Sequence, residues 1–160
     1  AGLAAIQLVP VARENPPVTG EVPAPDAVRP LLKRACYDCH SNETVWPWYS
    51  RVAPVSWLVA HDVKEGREKV NFSEWNQLDA RTQAKRLKKC ASEIREGEMP
   101  IKNYLRAHPL AKLTDAEKAT VMQWATGMAS SLAPDSAGAA APAGEEEDKD
   151  GDKDGDKDKD

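Results

Sequence analysis

Residues 33–50 read KRACYDCHSNETVWPWYS. Cys36 and Cys39 stand three apart, His40 follows at once, and Trp46, Trp48 and Tyr49 crowd in behind. The other cysteine, Cys90, lies far along the chain, and an odd count of three does not make a disulfide framework. The close pair needs a use other than stapling. The elements on either side decide which use is open to it.

Upstream, Asp26 is a candidate cap for a helix over 27–39, AVRPLLKRACYDC, with Pro30 near the first turn, where a missing N–H costs least. Val28, Leu31, Leu32, Ala35 and Cys36 form its apolar stripe, so the cysteine pair falls at the helix's C-terminal end. Downstream, 41–54 reads as a loop punctuated by Pro47 and Pro54. Val59, Val63, Gly66 and Val70 recur at helical spacing and predict a second helix over 55–70. NFSEWNQ, 71–77, is a connector in which Ser73 can act as an N-cap. A third helix over 78–97 has Ala84, Leu87, Ala91 and Ile94 as its seam and Gly97 as its stop. Residues 98–112 carry Pro100 and Pro109 and read as irregular. The last helix, 113–132, opens on a capping box from Thr114 to Glu117 and lines one side with Val121, Trp124, Ala125, Met128 and Leu132. No alternating strand pattern occurs. The fold class is therefore all-α, with four to five helices and long functional loops.

The chain has 160 residues. From 133 it turns into a small-residue linker, and 145–160 is EEEDKDGDKDGDKDKD, which has no apolar residue to offset its ordering entropy. That tail holds ten acids against four lysines, so a chain of net −4 becomes a body of +2 once the tail is set aside. Its echo of a calcium loop lacks the closing glutamate and the flanking helices. No basic run suggests nucleic acid. The opening AGLAAIQLVPVA is apolar but too short to span a bilayer, and reads as the end of a removed signal or of a membrane anchor. The expected organisation is an extended N-terminal segment over 1–23, a folded domain over 24–132, and a linker with a disordered acidic tail over 133–160.

CYDCH, Cys36 to His40, is the attachment pattern of a c-type haem. Two thiols with two residues between them suit two vinyl groups on one edge of a flat macrocycle. The adjoining imidazole then falls beneath the iron. Plainer readings compete. A redox-active dithiol of the thioredoxin kind needs a βαβ setting that this sequence lacks. Half a zinc site needs a second ligand pair at the right spacing, and His61, His108 and Cys90 are scattered.

The chain resembles the haem-binding domain proteins of the cytochrome c type. The resemblance is carried by RACYDCHSNETVWPWYSRVAPVSWLVAHDVKEGREKVNFSEW and by EGEMPIKNYLRAHPLAKLTDAEKATVMQW, with AIQLVPVARENPP upstream. It covers about 7–124 and leaves out the acidic tail. It implies one covalent haem c in a domain exported to the bacterial periplasm, and it leaves the redox partner open.

For the second axial position three side chains compete. Met99, in GEMP, follows the third helix on a proline-stiffened loop, as a thioether ligand requires. His61 reaches the iron only if the second helix crosses the haem, and His108 is otherwise a structural residue before the last helix. A His40/Met99 pair raises the reduction potential relative to two histidines. Trp46, Trp48, Tyr49 and Trp57 are candidates to wall the ring and exclude water, while Tyr49, Arg51 or Arg67 could meet a propionate. Gly66 marks a candidate close helix contact. Cys90 reads as a core thiol. The expectation is an electron carrier that is not an enzyme and meets redox protein partners. The alternative is a haem enzyme or sensor with an exchangeable sixth ligand, peroxidase-like or gas-binding.

Overall fold

The computed structural model describes residues 2–133, so the acidic tail lies outside the described residues. The architecture is all-α. Six helices follow one another: α1 Arg29–Ala35, α2 Tyr37–His40, α3 Val55–Lys69, α4 Ala80–Glu96, α5 Lys102–Ala107 and α6 Asp115–Leu132. A helical turn at Gly2–Ala5 and four 3-10 turns, at Ile6–Leu8, Trp48–Arg51, Trp75–Gln77 and Pro109–Ala111, complete the described elements. No strand forms among the described residues, and Gly20 and Glu74 make one isolated parallel bridge.

The scaffold is the pair α4 and α6, which make the most extensive contact between elements. The predicted seam of α4 is its buried face: Ala84, Leu87, Ala91 and Ile94. Val121, Ala125 and Ala129 of α6 meet it, with Trp124, Met128 and Leu132 packed at the margin. Leu87 has no exposure, and burying such a side chain contributes about 2 kcal/mol. Gly97 ends α4 in the left-handed region at φ 79°, where a side chain would be strained. Thr114 and Glu117 form the capping box of α6 in both directions.

Three local expectations are corrected. Asp26 does not cap the first helix: the carbonyl of Pro25 accepts from Val28 and Arg29, and α1 begins only at Arg29, with a proline in its first turn. The single helix expected over 27–39 is interrupted at Cys36, whose φ of −126° lies outside the helical range, and restarts as α2. Ser73 is no N-cap either. Asp79 caps α4 by accepting from the Thr82 amide, while the buried Ser73 hydroxyl accepts from the amide of Asn42. The stretch read as irregular also holds α5, which has no fully buried side chain and so offers no apolar period to read.

The N-terminal segment, expected to be extended over 1–23, is helical at Gly2–Ala5 and Ile6–Leu8 and runs without helix along the domain only from 10 onward. Thr19 and Gly20 donate to the Ser73 carbonyl and Val22 donates to that of Phe72. Val22, Ala24 and Val28 thereby enter the same core as Leu32, Tyr37, Phe72 and Trp75.

Candidate functional site

The site is built where α2 meets α3. Gly66 faces the carbonyl of Cys39 so closely that a β-carbon there would lie 2.5 Å from that oxygen. The close helix contact expected of Gly66 is therefore real, and it fixes the CxxCH turn against α3 backbone to backbone. His40 ends α2, and its Nδ1 lies 2.8 Å from the carbonyl of Gly66 and 3.3 Å from that of Val70. Carbonyls only accept, so Nδ1 carries the proton and the lone pair sits on Nε2. Burial pushes the imidazole below its ordinary pKa, and the two carbonyls oppose this without overcoming it. A neutral, oriented imidazole with Nε2 available is what a metal ligand requires.

Behind the turn lies a polar clamp that the sequence reading missed. The Ser41 hydroxyl donates to the Tyr37 carbonyl at 2.7 Å and accepts from the amide of Glu43. Asn42 donates to Pro17 and Glu74 and accepts from Asn71. Thr44 donates to the Asp38 carbonyl, and the Val45 amide donates to the Asp38 carboxylate. The Phe72 amide donates to the His40 carbonyl at 2.8 Å, and its ring stacks on Tyr37. Arg67 closes the clamp: its guanidinium donates to Ser41, Glu14, Asn15 and Thr44 at 2.8–3.0 Å. Arg67 is half-buried, and four of its five N–H groups are engaged in the clamp. The signal in the sequence was the pairing of SNET with NFSEW, two polar runs that complete each other only in three dimensions.

On the opposite side, Cys36, His40 and Met99 line one pocket, with Ala35, Ile94, Pro100 and Leu113. Met99 is delivered there by the αL turn at Gly97, after which the amides of Glu98 and Met99 both donate to the Glu93 carbonyl. The pocket measures about 30 Å³. A pocket of that size does not hold a macrocycle, so its walls would stand further apart around a bound haem. Tyr104 of α5 ties the 98–113 segment to the motif by donating to Asp38 at 2.8 Å, and its ring stacks on His108 at 4.4 Å. His108 also pairs with the Tyr49 hydroxyl. Burial and the Asp38 carboxylate push the Tyr104 hydroxyl well above its ordinary value.

The other residues singled out from sequence are distributed elsewhere. Trp46 and Trp57 line a separate groove of about 560 Å³ between the N-terminal segment and α3, with His61 beside them. His61 is exposed and pairs with Glu65 at 3.5 Å. Trp48 is 77% exposed and meets Tyr49 edge to face. Arg51 is exposed. The pocket thus holds Cys36, His40 and Met99 but none of the four aromatics expected to wall it. Cys90 packs half-buried at the margin of the core, its thiol pushed up to about 11 mainly by burial.

Burial dominates the thiols of the motif as well, pushing Cys36 and Cys39 each up to about 12. An activated redox dithiol needs the opposite shift. Cys36, an oriented neutral imidazole and the Met99 thioether meet at one apolar pocket, while Cys39 packs against Gly66 outside that lining; an imidazole and a thioether are donors suited to an iron porphyrin. By fold and donor set this is a helical haem domain. The family model "Haem-binding domain" matches residues 1–127, and the chain belongs to that family. Haem is accordingly its cofactor. No curated protein matches the chain, and no solved structure does.

Proposed function

We propose that this haem protein is a monohaem c-type cytochrome that carries electrons. In this reading Cys36 and Cys39 hold one haem c through thioether bonds, His40 is one axial ligand and Met99 is the other. The observation that carries the reading is the meeting of Cys36, His40 and Met99 at one apolar pocket. When bound, the iron supplies a one-electron couple. The chain's own part is positional. The Gly66 carbonyl aims the imidazole, the Glu93 carbonyl anchors the Met99 backbone, and Ile94 and Leu113, which line the same pocket, would exclude water from a bound haem. A dry site with a thioether ligand favours the reduced state.

Such a protein has no substrate of its own and works through brief contacts with redox protein partners. Haem attachment to CxxCH takes place outside the bacterial cytoplasm, so we place the domain in the periplasm, with an N-terminal anchor as one means of holding it at a membrane. The test is the absorption spectrum of the mature protein with and without carbon monoxide, together with its denatured mass. The expected result is a mass that keeps the haem increment, a reduced spectrum unmoved by the gas, and a weak long-wavelength sulfur-to-iron band in the oxidised form that Met99→Ala abolishes. A rapid shift on adding carbon monoxide overturns the carrier reading in favour of a haem enzyme or sensor.

A further inference from the structure

Among the described residues, eight of the ten large apolar side chains left exposed fall in two stretches, 4–12 and 45–60. Scattered exposed leucines mean nothing, but a concentration of this kind does. The two stretches are distant in sequence and joined in space. Gln7 bonds both backbone groups of Ala53, donating to its carbonyl at 3.1 Å and accepting from its amide at 2.9 Å. That clasp joins the segment that carries Leu8 and Val9 to the segment that carries Val52 and Val55. Leu58 stands one helical turn beyond Val55 on α3, and Trp48 opens the 3-10 turn that leads into it. Leu8 is 84% exposed, Trp48 77% and Leu58 51%.

Charge identifies what this face fits. In a chain with 30% charged residues, neither stretch holds an acid and Arg51 is the one charged residue in both; Asp62, one turn beyond Leu58 on α3, bounds the face on that side. Arg13 lies at the edge, donating to the Ser50 carbonyl. An apolar centre with an exposed tryptophan and an arginine rim matches a bilayer interface, where hydrocarbon meets the centre and phosphates meet the rim.

We infer that this face rests on a lipid bilayer and docks the folded domain on the membrane independently of any anchor. The inference does not depend on how the haem iron is ligated. It is tested by flotation of the haem-loaded full chain with vesicles of phosphatidylcholine alone and of phosphatidylethanolamine with phosphatidylglycerol. The chain floats with both compositions, and flotation persists in 0.5 M salt (about the ionic strength at which surface charge is screened). Leu58→Glu lowers the bound fraction about tenfold, roughly the loss of one buried leucine, and Val55→Glu/Leu58→Glu abolishes binding. Val18→Glu, at an exposed valine outside both stretches, floats as the wild type does, and the haem spectrum reports that every variant is folded. Failure of the wild type to float overturns the inference. So does flotation of Leu58→Glu at the wild-type level. Binding confined to anionic vesicles and removed by salt assigns the contact to the arginines and overturns the apolar face. A dimer that Leu58→Glu disperses, with no flotation, assigns the face to a second copy.

Discussion

The two walls of the pocket are held in different ways. The His40 wall is a dense polar clamp. Side chains of Ser41, Asn42, Thr44, Arg67, Asn71 and Ser73 bond one another and the backbone around the motif, and Gly66 lets α3 press on the Cys39 carbonyl. The Met99 wall hangs on a few ties: two amides to the Glu93 carbonyl, Tyr104 to Asp38, and Tyr49 to His108. Its helix, α5, has no fully buried side chain, and Tyr104 and Leu105 are half-buried. The contrast separates two jobs. The first wall fixes the His40 imidazole and is part of the fold's stability. The second presents a side chain that can be changed without unfolding the domain.

The sharpest way to break that contrast is Gly66→Ala. The new methyl meets backbone at 2.5–2.9 Å, so α3 must withdraw from the motif or the turn must bend. The expected loss is about 3 kcal/mol in urea unfolding, at the upper end for overpacking, because the His40 bond to the Gly66 carbonyl is disturbed as well. A loss under 1 kcal/mol would mean that the clamp yields and that the two walls are alike.

Arg67 comes next. Arg67→Ala removes a half-buried guanidinium from four acceptors and is expected to cost about 2 kcal/mol. Arg67→Lys should recover less than half of this, because an ammonium cannot fork to Ser41, Glu14, Asn15 and Thr44 at once. Full recovery by lysine would reduce the residue's role to charge alone. On the other wall, Tyr104→Phe breaks one bond to Asp38, whose carboxylate keeps the Val45 amide, and should cost only about 1 kcal/mol. Its larger effect should be on the site, as a weakened long-wavelength sulfur-to-iron band in the oxidised protein, read by absorption, because the segment that carries Met99 loses a tie to the motif.

How far the sequence could be read follows the same division. The α4 seam, the Gly97 stop and the Thr114–Glu117 box were legible because each is written within a few residues. The motif was legible for the same reason. Gly66 was legible as a small residue on a helical stripe. The clamp was not, because Asn42 and Asn71, or Arg67 and Glu14, are far apart in sequence and acquire meaning only when the chain closes. Trp46, Trp48 and Trp57 are close to the motif in sequence but do not line the pocket of Cys36, His40 and Met99. The 3-10 turn at Trp48–Arg51 and the start of α3 carry them away to a groove and to the surface. Asp26 lost its role to the carbonyl of Pro25, which no helix-start pattern anticipates.

The smallest effect concerns the far end of the Met99 wall. There Glu117 caps α6 through Thr114 and pairs with Arg34 of α1 at 2.6 Å, which ties the end of the 98–113 segment back to the helix that carries the motif. The Thr114 amide first, and Arg34 second, hold the Glu117 carboxyl below its ordinary range. The sign follows from linkage. A carboxyl whose folded value is depressed binds fewer protons folded than unfolded, so its contribution is complete above the ordinary glutamate range and is lost as pH falls through the lower folded value. The urea midpoint of the wild type should therefore fall on acidification through that window, and Glu117→Gln should flatten this part of the slope while leaving the haem spectrum unchanged. Because the pair is solvent-exposed, 0.5 M salt (a Debye length of about 4 Å) should remove the Arg34 share and spare the capping share. If salt erases the whole slope, Glu117 acts through Arg34 alone, and the Met99 wall is tethered to the motif by charge rather than by the helix cap.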